Sequence, residues 1–121
     1  MMDKEQEKKF LQKQAKLESE YFQHKKAYEQ KQEEFVMLDH KLGQIYYEIA
    51  GVTYQCLRQN DATPQELSKV KMLHAELAEI AHDAYRINRQ KSELEWEEYR
   101  VDNRRKQDRL EAEFLQQRRR S

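Results

Sequence analysis

The fold is decided by the stretch 60-NDATP-64, a polar break at the midpoint of an otherwise continuous helical pattern. Its residue types are turn formers, and the only proline, Pro64, stands where the first residue of a helix tolerates it. Thr63 can cap that helix, and Glu66 lies three residues further on to complete a capping box. The stretch therefore predicts a short turn that ends one helix and starts another.

The turn at about 60–64 separates two arms of similar length, about 3–59 and about 65–119. A short polar connection between two long helical patterns is typical of antiparallel neighbours. We therefore predict an all-α fold, in which one domain over 1–121 forms a helical hairpin, or coiled coil, of two long antiparallel helices.

Both arms carry an apolar heptad seam. Folding the chain at the turn pairs seam positions whose numbers sum to roughly 122, so that Ile45 lies opposite Leu77 and Ile49 opposite Leu73. The lone Cys56 falls on the seam and is expected to be a buried thiol. The predicted core comprises Phe35, Leu38, Leu42, Ile45, Ile49 and Val52 in arm one, with Val70, Leu73, Leu77, Ile80 and Ile87 in arm two.

Several aromatic residues fall outside this predicted seam. Aromatics in register on the outer face of a thin hairpin favour an interface with a third helix or a second copy. On this interpretation Trp96→Ala leaves the fold intact and weakens partner binding. The predicted partner-binding residues are Tyr46, Tyr47, Tyr54, Tyr85, Trp96 and Tyr99.

The amino-acid composition limits the classes of function that this chain is expected to have. The 121 residues are 38% charged, with 23 Lys and Arg against 23 Asp and Glu. This balance argues against a dedicated nucleic-acid binder, and no run is apolar and long enough to predict a membrane span. The basic runs 104–106 and 118–120 are interpreted as a solvated helix end. Met1 begins no apolar signal region, so we expect a cytoplasmic protein, exported, if at all, with a partner through a signal-less route.

Catalytic chemistry is not indicated. The four histidines, His24, His40, His74 and His82, show no metal-binding spacing, and two glycines cannot form a phosphate-binding loop. We therefore predict no enzyme activity, no catalytic or metal site and no cofactor.

A small, signal-less hairpin folded at its midpoint resembles the early-secreted-antigen, or WXG, class of type VII secretion proteins. The resemblance is one of architecture: the turn has no Trp-x-Gly, and Tyr99 and Asp102 are one residue too close for the Tyr-x-x-x-Asp export motif. The dense Glu, Lys, Arg and Gln helices are more similar to the charged accessory proteins that accompany LXG toxins. This resemblance implies a targeting factor or chaperone that binds the toxin's N-terminal helical region, together with a second small helical protein.

Two other functions fit the same pattern. Hairpins of this kind also resemble the coiled-coil stalks of type III and flagellar export ATPases, and the arginines near the C-terminus leave a nucleic-acid-binding coiled coil as a third candidate. The sequence also allows a homodimer, because seam complementarity is the same in a closed hairpin and in an extended antiparallel pair, and only the short turn favours the hairpin.

Overall fold

The computed structural model, which describes residues 3–120, consists of two long α-helices joined by a short turn. Helix α1 spans Lys4–Gln59 and helix α2 spans Pro64–Arg120. The helices pack against each other, and no strand occurs among residues 3–120. The predicted all-α helical hairpin is confirmed.

Helix α1 ends in a Schellman motif, which closes the helix with backbone hydrogen bonds. The Ala62 N–H donates to the Leu57 carbonyl oxygen (3.0 Å), and the Asp61 N–H donates to that of Arg58 (3.4 Å). Asp61 occupies the left-handed position of the motif, with φ 57°. The Asn60 side chain donates through Nδ2 to the Cys56 carbonyl oxygen (2.8 Å), so another carbonyl at the helix end is satisfied.

Helix α2 begins with the cap that the sequence predicts. The Thr63 hydroxyl accepts a hydrogen bond from the Glu66 N–H (3.2 Å), and the Thr63 carbonyl accepts one from the Leu67 N–H (3.0 Å). The bond to the hydroxyl satisfies a donor that the first turn of a helix otherwise leaves unpaired, and the bond to the carbonyl is the first regular bond of the helix. The end of one helix and the start of the next are therefore both specified within 60–66.

The chain divides into two compact units, each built from segments of both helices. The terminal unit comprises Met1–Gln30 and Ser92–Ser121, and the turn unit comprises Lys31–Lys91. Each unit contains one seam between two helices.

Aromatic rings hold the two helices of the terminal unit together. Phe10 stacks on Phe114 with ring centroids 4.0 Å apart, and Tyr28 stacks on Trp96 at 5.3 Å. Offset or stacked aromatic pairs contribute about 0.5–1.5 kcal/mol each beyond the burial of their area. Large rings therefore fill the space between the two helices of this unit.

The two buried residues of the described chain, Ser92 and Asn103, are polar and lie in the terminal unit. Asn103 donates through Nδ2 to the Leu17 carbonyl oxygen of the facing helix (3.3 Å) and accepts from Gln107 Nε2 (2.7 Å). A satisfied buried amide favours one helix register, because sliding the helices would leave it without partners.

The turn unit is held by a line of half-buried residues together with specific cross-helix contacts. Asp39 Oδ1 lies 3.2 Å from His82 Nδ1, and the Lys71 ammonium lies 4.6 Å from the centre of the Tyr54 ring. Together with the stacks of the terminal unit, these pairs lie within a few residues of the predicted pairing, so the register is confirmed. The half-buried line comprises Gln32, Phe35, Asp39, Leu42, Tyr46, Ala50, Thr53 and Leu57 on α1, with Leu67, Val70, His74, Ala78, Ala81 and Tyr85 on α2.

The predicted core is wrong in its rotation about each helix axis. Of its eleven residues, Phe35, Leu42 and Val70 are half-buried, and the other eight are exposed. Cys56 is also exposed rather than buried. The residue that follows each predicted position usually lies in the seam instead: Tyr46 replaces Ile45, and Leu57 replaces Cys56. Tyr46 brings a larger ring into the seam in place of Ile45, whereas at most of the other positions a smaller or polar side chain enters, such as Ala78 in place of Leu77.

The left-handed residue of the turn gives the first testable prediction. Asp61→Gly should raise the free energy of unfolding by about 0.5–1 kcal/mol, because glycine adopts a positive φ without the steric strain of a Cβ atom. Urea denaturation followed by circular dichroism measures this change. As a matched control, Gln55→Gly inside α1 should lower it by about 1 kcal/mol. Stabilisation by both changes, or by neither, would contradict this account of the turn.

Candidate protein-interaction surface

Eight aliphatic side chains of the turn unit are exposed although their pattern predicts a core. Their exposed fractions lie between 42% and 65%, and each helix contributes four of them. No hydrophobic residue is buried among residues 3–120. We call these eight residues the turn-unit apolar face: Leu38, Ile45, Ile49 and Val52 on α1, with Leu73, Leu77, Ile80 and Ile87 on α2.

Helical geometry places both apolar stripes on one side of the turn unit. On α1, Leu38 and Ile45 each immediately precede a half-buried residue, and on α2 Leu73 and Leu77 do the same. One position corresponds to a rotation of about 100° about the helix axis. Because the helices are antiparallel and face each other, the same rotation brings both stripes to the same side of the pair. The two stripes therefore lie on the same side of the turn unit.

The accessible surface of the chain is large for its mass. It amounts to 10496 Å², whereas a typical folded monomer of this mass exposes about 7,000 Å². A pair of helices exposes more surface than a compact domain of equal mass, because it has one seam and no further packed layer. An aliphatic surface shared by two helices is the type of patch that marks a protein-binding site.

Two of the predicted partner-binding aromatics lie between the helices rather than on the outer face. Trp96 contacts both Tyr28 and Tyr21, with ring centroids at 5.3 and 5.6 Å, and Tyr99 stacks on His24 at 3.9 Å. Their predicted outer position is wrong, because the observed rotation of α2 directs them into the seam.

The other four predicted aromatics belong to the turn unit. Tyr46, Tyr54 and Tyr85 are half-buried. The hydroxyl of Tyr85 accepts a hydrogen bond from Arg89 Nη1 (3.1 Å). Tyr47 is 83% exposed, and it alone of the six predicted residues projects fully into solvent. Sequence reasoning assigned the aliphatic residues to the core and so missed them as a surface, although it identified the stripe that they form.

Tyr99 has an unusual electrostatic environment. Its hydroxyl oxygen is shielded from water and forms no well-aligned hydrogen bond within residues 3–120. Burial raises the pKa of the Tyr99 phenol above its ordinary value, and the negative charge of Glu20 raises it further. The Asn103 amide lies close enough to oppose this shift. The phenol therefore remains neutral to a higher pH in the folded chain than in the unfolded chain.

We find no arrangement suited to metal chemistry in the described part of the chain, since no three metal-ligating side chains come together there. Between residues 3 and 120, neither helix contains an apolar segment of the length required to cross a bilayer. Comparison with known proteins gives no match to any family model, curated protein or solved structure.

The position of Trp96 leads to a prediction opposite to that of the outer-face interpretation. Trp96→Ala should lower the free energy of unfolding by about 2–3 kcal/mol, because it removes a half-buried ring that packs against two tyrosines. Tyr47→Ala, the control at an exposed ring, should change it by less than about 0.5 kcal/mol. Thermal melting of both variants tests this, and equal melting temperatures for Trp96→Ala and the wild type would refute the packing role.

The raised pKa of Tyr99 predicts that the fold loses stability at alkaline pH. Because its folded pKa is raised, its neutral form adds stability below the unfolded value of about 10, and this stability is lost as pH rises through the folded value. Tyr99→Phe cannot ionise and should therefore lose less stability than the wild type between pH 9 and pH 12. Urea titrations across this range measure the difference, and Tyr47→Phe is the exposed control. Parallel pH curves for Tyr99→Phe and the wild type would exclude the effect.

Proposed function

We propose that this chain is a non-enzymatic helical adaptor, which binds a helical region of a partner protein through the turn-unit apolar face. The observation that carries the proposal is the exposure of Leu38, Ile45, Leu77 and their neighbours along one side of two packed helices. A third helix can cover such a surface with apolar side chains spaced three and four residues apart. Burying apolar area contributes about 25 cal/mol per Å², so the face supplies a driving force without any catalytic group.

For the partner, we propose the N-terminal helical region of an LXG-type toxin of type VII secretion, with a second small helical protein in the same complex. The adaptor acts as a targeting factor or chaperone in the cytoplasm, and it leaves the cell, if at all, with its partner. Support comes from the midpoint turn and the dense charged arms, which are similar to those of helical proteins that accompany such toxins. A homodimer that covers the same face is the competing outcome.

A matched pair of substitutions on α1 tests the adaptor function. Leu38→Asp places a charge on the turn-unit apolar face, and Val36→Asp places one nearly opposite it, because two residues correspond to about 200° of rotation. Both side chains are about half exposed, at 55% and 49%, so neither change buries a lone carboxylate deeply. Leu38→Asp should weaken partner binding by about tenfold or more, whereas Val36→Asp should leave it within about twofold.

The measurement is co-expression with an LXG-type N-terminal helical region, followed by size-exclusion chromatography with light scattering. Circular dichroism of each variant reports whether the hairpin remains folded. A complex that survives Leu38→Asp would exclude this face as its interface. Elution of the wild-type chain as a homodimer, abolished by Leu38→Asp and indifferent to the toxin region, would replace the adaptor with self-association.

A further inference from the structure

A second surface lies in the terminal unit, outside the turn-unit apolar face. Both helices line a groove there, with a volume of about 390 Å³. Leu17 of α1 and Leu110 of α2 form its apolar floor, and both are half-buried. Leu110 also lines an adjoining cavity with the stacked pair Phe10 and Phe114, so the apolar floor extends along the unit. We call this surface the terminal groove.

Four cationic side chains surround the apolar floor. Lys13 and Lys16 approach it from α1, and Lys106 and Arg109 approach it from α2. Within residues 3–120, none of the four forms an ion pair. The cations of one helix repel those of the other across the groove, and with four cations against two carboxylates the lining carries a net positive charge. A ligand that carries negative charge would relieve this repulsion.

Two carboxylates, those of Glu20 and Glu113, line the same groove. Each lies one helical turn beyond a lining cation, Lys16 or Arg109, without pairing with it. A compact polyphosphate would place all its charge near these carboxylates and would leave the apolar floor uncovered. Main-chain N–H donors, which usually cradle phosphate, are also engaged in the hydrogen bonds of the helices. The charge pattern is therefore better suited to an extended ligand whose negative charges are spaced apart.

From this arrangement we infer that the terminal groove binds an acidic amphipathic helix of a partner protein. Leucine-like side chains of the partner cover Leu17 and Leu110, and its Glu or Asp residues on both flanks of that stripe pair with Lys13, Lys16, Lys106 and Arg109. The inference does not depend on the proposed adaptor function, because the terminal groove shares no residue with the turn-unit apolar face. The inference gives Lys106 and Arg109 of α2 a role in binding, although the formal net charge of the whole chain is zero.

A synthetic peptide provides the probe. It is a fluorescein-labelled 21-residue helix with leucine at every third or fourth position, glutamate on both flanks and alanine elsewhere. Binding to the full chain is measured by fluorescence anisotropy at 50 mM and 300 mM NaCl. We expect saturable binding that weakens with salt, because exposed charge pairs are screened. The control peptide, with lysine in place of every glutamate, should not bind, and equal binding of the two peptides would overturn the inference.

Charge reversal locates the binding site. The double variant Lys13→Glu with Lys106→Glu should weaken binding of the acidic peptide by about tenfold or more, since it replaces two attractive contacts with repulsive ones. Lys8→Glu with Arg119→Glu changes the net charge equally at exposed residues that do not line the groove. This control should change the affinity for the acidic peptide by less than about twofold. Equal losses in both double variants would show non-specific attraction and refute the site. If circular dichroism shows that the first variant is unfolded, Lys16→Gln with Arg109→Gln provides the same test.

Competition separates this ligand class from others with the same charge. Inorganic tripolyphosphate and vesicles containing anionic phospholipid should displace the peptide only at concentrations high enough to screen the charges of the groove. Displacement by either at concentrations comparable to the peptide's would replace the helix with a phosphate ligand. Leu38→Asp should retain binding of the acidic peptide, so that failure of this inference and failure of the adaptor function are distinguishable.

Discussion

One geometric constraint governs the rest of this structure: a pair of helices has a single seam, whereas this sequence carries enough apolar and aromatic side chains for more than one. The large side chains of that seam keep part of their surface in solvent, and no hydrophobic residue among residues 3–120 is buried. Side chains therefore compete for the seam, and in the terminal unit large rings occupy it. Trp96 and Tyr99 lie between the helices, whereas Leu94 and Val101 remain 66% and 42% exposed.

The two units satisfy this constraint with different side chains. In the terminal unit, stacked rings are combined with a buried amide, and the bonds of Asn103 to Leu17 and Gln107 favour one register over its neighbours. In the turn unit, the seam contains small and polar residues such as Ala78, Ala81 and Asp39. Small residues leave little apolar area between the helices, and the aliphatic side chains beside them remain exposed. The turn-unit apolar face follows directly from this choice.

The proposed function follows from what the exposed surfaces can bind rather than from any reactive group. The turn-unit apolar face is aliphatic and shared by two helices, which favours a helix as its ligand. The terminal groove combines an apolar floor with four cations, which adds charge as a second criterion of selection. Two surfaces of different chemistry suit an adaptor, because each can select its own helix without competing for the other's.

The sequence by itself determined the secondary structure, the position of the turn and the pairing register. The turn residues act locally: the Thr63 cap and the helix end at Asp61 depend only on neighbours within a few positions. The register follows because antiparallel helices joined by a short turn have little freedom to slide. Which face of each helix enters the seam was decided only by the tertiary structure. Ile45 and Tyr46 both fit a helical stripe, and the choice between them depends on the area buried against the opposite helix. The same choice moved Trp96 and Tyr99 inward and exposed Leu38 and Leu77, so the candidate site could not be read from periodicity alone.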